Sequence, residues 1–295
     1  MAVPQLLRIA AGASVHRVFS APPETLAVIG RDGDAGLFGP GSVAWRVHAH
    51  PAALVGGIRS LIVQTLHPLA IAGVVEHSDY RSDPIGRLQR TVAYVAATTF
   101  GSSDQAREAV AAVRRVHEHV KGVAPDGRPY AANDPELLAW VHHVEVESFL
   151  LAYQSSGPGL SPRDADRYVE EMARLGELIG ARSPVTTAHA LRTWVLHHPD
   201  VYATSEARSA VRFLAGLPLP LSARPAYAVL FGAATSLVPW RRRLELGLLL
   251  PGPVGGKLVC EPAARALCSV MGWVIGPSPA LTSATVRVRR GGSLI

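Results

Sequence analysis

Spacings of three and four between apolar residues run through most of the chain, whereas the alternation of a half-buried strand is confined to a short stretch at Thr285 to Arg289. The pattern predicts helices. A turn-rich loop at Gly33 to Ser42 (GDAGLFGPGS) leads into a short helix from Ser42 to about His50, stopped because the residue before Pro51 is pushed out of the α region. An apolar helix from Ala52 to Leu66 follows, and Pro68 kinks it or restarts it toward Glu76. After a polar loop from His77 to Pro84, a helix runs from Ile85 to about Thr99, with Gly101 placed to end it. Ser102 or Ser103 caps the next helix, in which Ala106, Val110, Val113, His117 and Val120 fall on one stripe while His119 is turned to the opposite face.

Asn133 or Asp134 caps a further helix with Pro135 in its first turn. Leu137, Val141, Val144, Ser148 and Leu151 make its inner face, and His142 lies near the edge of that face. Ser161-Pro162 opens a helix from Arg163 to about Ile179, and another spans Thr187 to His197. From about Gly216 the chain is rich in Pro and Gly between apolar pieces and is expected to be irregular. The fold class is therefore all-α. One large helical domain (33–250) is preceded by an N-terminal extension (1–32) and followed by a C-terminal segment (251–295) packed on it or trailing it.

Composition supports one self-sufficient domain, since 48% of the 295 residues are hydrophobic and only 18% charged. The formal charge of +6 would suit nucleic acid, an anionic cofactor or an acidic membrane surface. Apart from Arg241-Arg242-Arg243 the cations are dispersed singly, without interleaved aromatic residues, so no nucleic-acid partner is expected. Leu54 to Val75 is interrupted by Arg59, Gln64, His67 and Pro68, and Tyr227 to Trp240 is too short to span a bilayer. The second segment ends in Pro239-Trp240 and three arginines, which could rest on an anionic membrane surface; a buried helix with a solvated basic end is the plainer explanation. Cys260 and Cys268 match no zinc or redox spacing and read as reduced thiols. Arg8 and Arg17 flank a modest apolar stretch that lacks the layout of an export signal, so a cytoplasmic location is expected, with peripheral membrane contact as the one addition.

His117, in an apolar stripe, must either find hydrogen-bond partners inside the core or ligate something. Arg87, Arg90 and Thr91 lie three and four apart on one helix and project to one side. Such a cluster suits a carboxylate or phosphate, and a solvated face is the alternative. His142, His143, Glu145 and Glu147 invite a di-metal reading, but the order His-x-x-Glu reverses the helical-bundle motif and no second copy exists. HExxH, GxSxG and Walker patterns are absent, and Gly36 to Gly41 lacks the Lys-Ser/Thr ending of a phosphate loop.

The runs LFGPGSVAWRVHAHPAALVGG (Leu37 to Gly57), LHP (Leu66 to Pro68) and YRSDPIGRLQRT (Tyr80 to Thr91) resemble the rubber-oxygenase catalytic-domain family, which includes latex-clearing protein and the MpaB-type oxygenases. RRVHEHV (Arg114 to Val120) and DPELLAWVHHVEVESFL (Asp134 to Leu150) extend the likeness in the same order. The resemblance implies an all-α domain with a globin-like core that holds b-type haem through one histidine and uses dioxygen on an apolar substrate such as an isoprenoid chain. It assigns the iron ligand to His117, with His142 as second choice. Arg87, Arg90 and Thr91 align with a distal Arg-x-x-Lys-Thr element, arginine replacing lysine at position 90, and are the expected catalytic residues. Arg46 and Tyr80 are expected to support the haem, and His67 to pack or hydrogen-bond near it. A haem b-dependent oxygenase is the function implied; a non-catalytic haem-binding or gas- or haem-sensing protein is the alternative.

Overall fold

A computed structural model describes residues 20–292; Arg8 and Arg17, and most of the N-terminal extension, lie outside the described residues. Helices α1 (Pro23–Ile29), α2 (Val43–Ala49), α3 (Ala53–Gln64), α4 (Pro68–His77), α5 (Pro84–Phe100) and α6 (Ser103–His117) lead to a hairpin of β1 (Lys121–Val123) and β2 (Pro129–Ala131). The hairpin is antiparallel, with Gly122 opposite Tyr130. Helices α7 (Pro135–Ser156), α8 (Pro162–Ile179), α9 (Ala188–Leu196), α10 (Ser205–Ala215), α11 (Arg224–Ser236) and α12 (Trp240–Leu246) follow. A turn at Pro253–Gly255 passes through a π-helical stretch, Gly256–Cys260, into α13 (Glu261–Ile275), and α14 (Pro279–Gly292) ends the described chain.

Local chemistry sets these boundaries. Ser42 accepts from the Trp45 amide, Ser102 and Gln105 form a reciprocal capping box, and Asp134 Oδ1 accepts from the amides of Glu136 and Leu137. Proline stands in the first turn of α1, α4, α5, α7, α8, α11 and α13, where a missing N–H costs nothing. The C-terminal part departs from the irregular expectation for this reason, since its prolines and glycines punctuate short helices. The Thr285 to Arg289 stretch also departs, forming part of α14, with Ala280, Ala284 and Arg287 aligned on its buried side.

The 22-residue α7 is the central element, buried on most of its circumference and crossed closely by α3. A Cβ on Gly56 would lie 2.9 Å from the Phe149 Cα, so only glycine permits this crossing. Val55, Ile58, Ile62, Trp140, Val144 and Tyr168 anchor the main core, which α8, α9 and α11 extend. Inside it Arg59, 1% exposed, bonds Glu147 at 2.8 Å and Ser148 at 2.6 Å, and Arg192 approaches the other Glu147 oxygen at 3.4 Å. A second, smaller core gathers Ile29, Trp45, Ala96, Phe100, Ala280 and Ala284. There Arg287, fully buried, donates to the carbonyls of Ile29 (2.6 Å) and Asp34 (3.0 Å) and ties α14 to the segment after α1.

Helices α3 and α4 are bent by 102° at the break before Pro68, which places His67 at an elbow. Among the described residues no single helix is long and apolar enough to cross a membrane. The Tyr227 to Trp240 segment is mostly α11, whose Tyr227, Leu230, Ala233 and Ala234 are buried. The arginine run does not form one basic face: Arg242 pairs with Glu245 at 2.9 Å, Arg243 is 2% exposed under the Trp240 ring, and the exposed Arg241 approaches Glu245 at 3.7 Å.

Candidate functional site

Helix α5 turns Arg87 and Thr91 inward, four residues apart, and the Arg87 guanidinium donates to Thr91 Oγ1 and to Ser78 Oγ at 3.3 Å. Thr91 Oγ1 in turn donates to the Arg87 carbonyl at 3.0 Å, so the hydroxyl fixes the guanidinium. Burial and the neighbouring Arg90 charge lower the Arg87 pKa, and among the described residues no carboxylate forms an ion pair with Arg87. Arg90 departs from the expected convergence: it points to solvent, 58% exposed, and pairs with Asp83 at 3.2 Å.

His117 closes the last turn of α6, in which Ala106 and Val110 are buried and His117 half-buried; Val120, the last position of the predicted stripe, lies beyond the helix. Its pKa is lowered by burial and then by the Arg87 charge, while a hydrogen-bonding interaction with the Asn133 side chain opposes both. The Arg87 guanidinium and the His117 imidazole thus share one environment. His117 Nδ1 and Asn133 Oδ1 are both buried and neither has an aligned partner, although Asn133 Nδ2 is anchored on the Arg114 carbonyl at 3.0 Å.

His142 occupies a different setting. It is buried between α7 and α8, where a Cβ on Gly176 would stand 2.8 Å from its Nε2, and it interacts with the Met172 backbone. Burial first, then His143, holds its pKa down to about 3. Arg46 lies at the surface, in an ion pair with Asp164 at 3.0 Å, and Tyr80 packs edge-on against Phe213 with ring centroids 5.6 Å apart. Neither joins Arg87 and His117 by any direct contact.

Glu145, one turn after Val141 on α7, reaches interior space without a hydrogen bond, and burial raises its pKa to about 7. Its charge helps raise the pKa values of Tyr94 on α5 and Tyr168 on α8, so the three groups share one poorly solvated region. Tyr168 also contacts His48 Nε2 at 3.0 Å. The di-metal grouping dissolves: Glu147 is taken by arginines, His143 Nε2 accepts the Val185 amide at 3.2 Å, and Glu145 stands apart from both.

Sequence reasoning passed over three features. On sequence Asn133 is a candidate helix cap, and nothing in its surroundings in the chain marks it as a partner for His117. Glu145 was visible only inside the rejected di-metal pattern. His198 and Asp200 were not singled out at all, yet with His67 they bring one ligand atom each to within 4.8 Å of one another.

No curated protein and no solved structure matches the chain. Residues 45–289 match the family described as ER-bound oxygenase mpaB/B'/rubber oxygenase, catalytic domain. That span runs from within α2 through most of α14, including every element that carries the residues above, and the chain belongs to this oxygenase family.

Proposed function

We propose that the chain is a haem b-dependent oxygenase acting on an apolar substrate, with His117 as the protein ligand to iron and Arg87 holding a haem carboxylate. The observation that carries this reading is two unmet needs side by side: an imidazole nitrogen without an aligned partner, and an inward guanidinium without a carboxylate. A ligating imidazole needs a free lone pair on one nitrogen and an acceptor for the proton on the other. Asn133 Oδ1 suits the second requirement, leaving Nε2 for iron, and the lowered pKa favours the neutral ring. Arg87, with its planar fork already steadied by Thr91, is suited to bidentate contact with a propionate.

Bound haem would supply the redox-active iron at which dioxygen is activated. The residues of the chain would orient and insulate it. The Ala106 and Val110 face of α6 excludes water behind His117, and Thr91 restrains Arg87. Glu145, whose carboxyl is half protonated near pH 7, can hold or release a proton at Oε in the interior beside Tyr94. Arg90 faces solvent and has no part in this arrangement.

The test is the visible spectrum and pyridine haemochrome of protein produced with haem supply, beside His117→Ala and His142→Ala. The expected result is a Soret band in the parent protein that is lost or shifted in His117→Ala and kept in His142→Ala. A parent protein that stays colourless after haem supplementation would overturn the reading. Haem binding without oxygen consumption on any apolar substrate would replace oxygenase by haem carrier or sensor.

A further inference from the structure

We propose that His67, His198 and Asp200 form a binding site for one divalent first-row transition-metal ion, Zn2+ in type, separate from the His117 region. The three side chains come from two places remote in sequence: the elbow between α3 and α4, and the loop after α9. Their ligand atoms all lie within 4.8 Å of one another. Two imidazoles and one carboxylate are a donor set for a borderline cation, not for Mg2+ or Ca2+, which take oxygen ligands. Three protein ligands leave further positions for water or a small ligand.

The second observation concerns His67 itself. It is 5% exposed, its Nδ1 is buried without a partner, and no hydrogen bond from either ring nitrogen accounts for its burial. A ring that only filled space there would leave polar atoms unsatisfied, which a packed core ordinarily avoids with an apolar residue. Aromatic neighbours hold it: the Trp140 centroid is 5.7 Å and the His198 centroid 5.5 Å away. His198 is itself wedged between Trp140 (5.0 Å) and Trp194 (4.7 Å).

The surroundings restrain the third ligand too. Arg128 Nη1 donates to Asp200 Oδ1 at 2.8 Å, leaving Oδ2 free to ligate. Arg128 is also paired with Asp126, which accepts from the Tyr202 hydroxyl at 3.0 Å, and the Tyr202 amide donates to the Leu66 carbonyl at 2.9 Å. This chain of contacts ties the His198 loop to the backbone beside His67, the kind of outer support that ligating residues need. Asp126 and Asp200 outnumber Arg128 by one charge, so the surroundings accept a dication. A cavity of about 300 Å³ lined by Pro68, Ile71, Asp126 and Tyr202 opens alongside and gives a path of entry.

Binding requires small adjustments whose direction is defined. Tetrahedral bonds of about 2.0–2.1 Å bring ligand atoms to about 3.4 Å from one another, so the cluster contracts. His198 and Asp200 lie on an irregular loop and can move, whereas His67 is the fixed point. The Asp200 amide donates to His198 Nδ1 over a long 3.3 Å contact; when Nε2 binds the ion its proton leaves, Nδ1 takes one up, and this contact breaks.

The experiment is a Co2+ and Zn2+ titration of the full chain without a polyhistidine tag and without added haem, followed by calorimetry and by the visible bands of Co2+. His198→Ala, Asp200→Asn and His67→Gln are compared with His197→Ala, a neighbouring histidine outside the cluster. The expected result is one ion per chain, with affinity lowered by about a hundredfold in His198→Ala, since even outer-shell changes cost 10–100-fold, and by at least about tenfold in Asp200→Asn. His197→Ala binds as the parent does. No stoichiometric binding by the parent, or binding indifferent to both His198→Ala and Asp200→Asn, would overturn the proposal. His198 and Asp200 are partly exposed loop residues, so the result does not depend on whether His67→Gln folds.

Discussion

Glu145 and Glu147 stand two residues apart on α7 and are treated in opposite ways. Glu147 is met by Arg59, Ser148's partner, from α3 and by Arg192 from α9. Among the described residues no cation pairs with Glu145, and burial raises its pKa to about 7. The contrast extends to the two arginines: Arg59 is 1% exposed with every direction used, whereas Arg87 is turned inward with a hydroxyl on either side and no counter-charge. Leaving a polar group unmet in the interior costs about 1–3 kcal/mol, a cost that a bound group of matching charge would offset at Arg87. The closed network belongs to the scaffold; in the proposed function the open one faces the haem.

The sharpest break of this contrast is Glu147→Ala, which strands Arg59 in the core and is expected to lower stability by about 3–5 kcal/mol in urea denaturation. Replacing both partners, Arg59→Met with Glu147→Leu, should recover most of the loss, because no charge is then left behind. Glu145→Gln should act in the other direction and only at higher pH. The folded state holds the Glu145 proton more tightly than the unfolded chain, whose carboxyl titrates near 4.5, so parental stability falls as pH rises from about 4.5 to 7. Haem-free Glu145→Gln is therefore expected to match the parent at pH 4 and to exceed it at pH 8 by at most about 3 kcal/mol. Equal denaturation midpoints at pH 8 would show that the carboxyl is better solvated than its position suggests.

Arg87→Leu carries the comparison to the open region. It should weaken haem binding by about ten- to a hundredfold, the worth of a charge-assisted contact, while the haem-free protein loses no stability. A variant that unfolds would instead place Arg87 with the scaffold. The smallest effect belongs to Arg90→Ala: its solvent-exposed pair with Asp83 should contribute less than about 1 kcal/mol, and haem affinity should not change.

The helical plan from Ser42 to Ile179 was legible because caps and prolines speak locally: Ser42, Ser102, Asp134 and Pro162 each fix a start through atoms within three residues. The segment after Gly216 was not, since the same Pro and Gly residues that break an element also begin and end short ones, and Val286 and Val288 imitate a strand until the burial of Ala280, Ala284 and Arg287 reveals a helical repeat. Helical phase placed His117 on the inner side of α6 and Arg87 beside Thr91. It could not foresee that Arg90 turns to Asp83, because three residues on a helix subtend a wide arc and a nearby carboxylate decides which way the outermost one leans. Asn133, His198 and Asp200 acquire their neighbours only when the chain folds back, and no spacing encodes that.

The fully buried Arg287, with its bonds to the carbonyls of Ile29 and Asp34, joins the last described helix to the first. Those two helices share the small core of Ile29, Phe100, Ala280 and Ala284, apart from the packing around α7. Amide protons of α1 and α14 should therefore exchange with solvent as one cooperative unit, at a rate set by the opening of this clasp and faster than that of α3 and α7, so that two helices remote in sequence are neighbours in kinetics as well as in space.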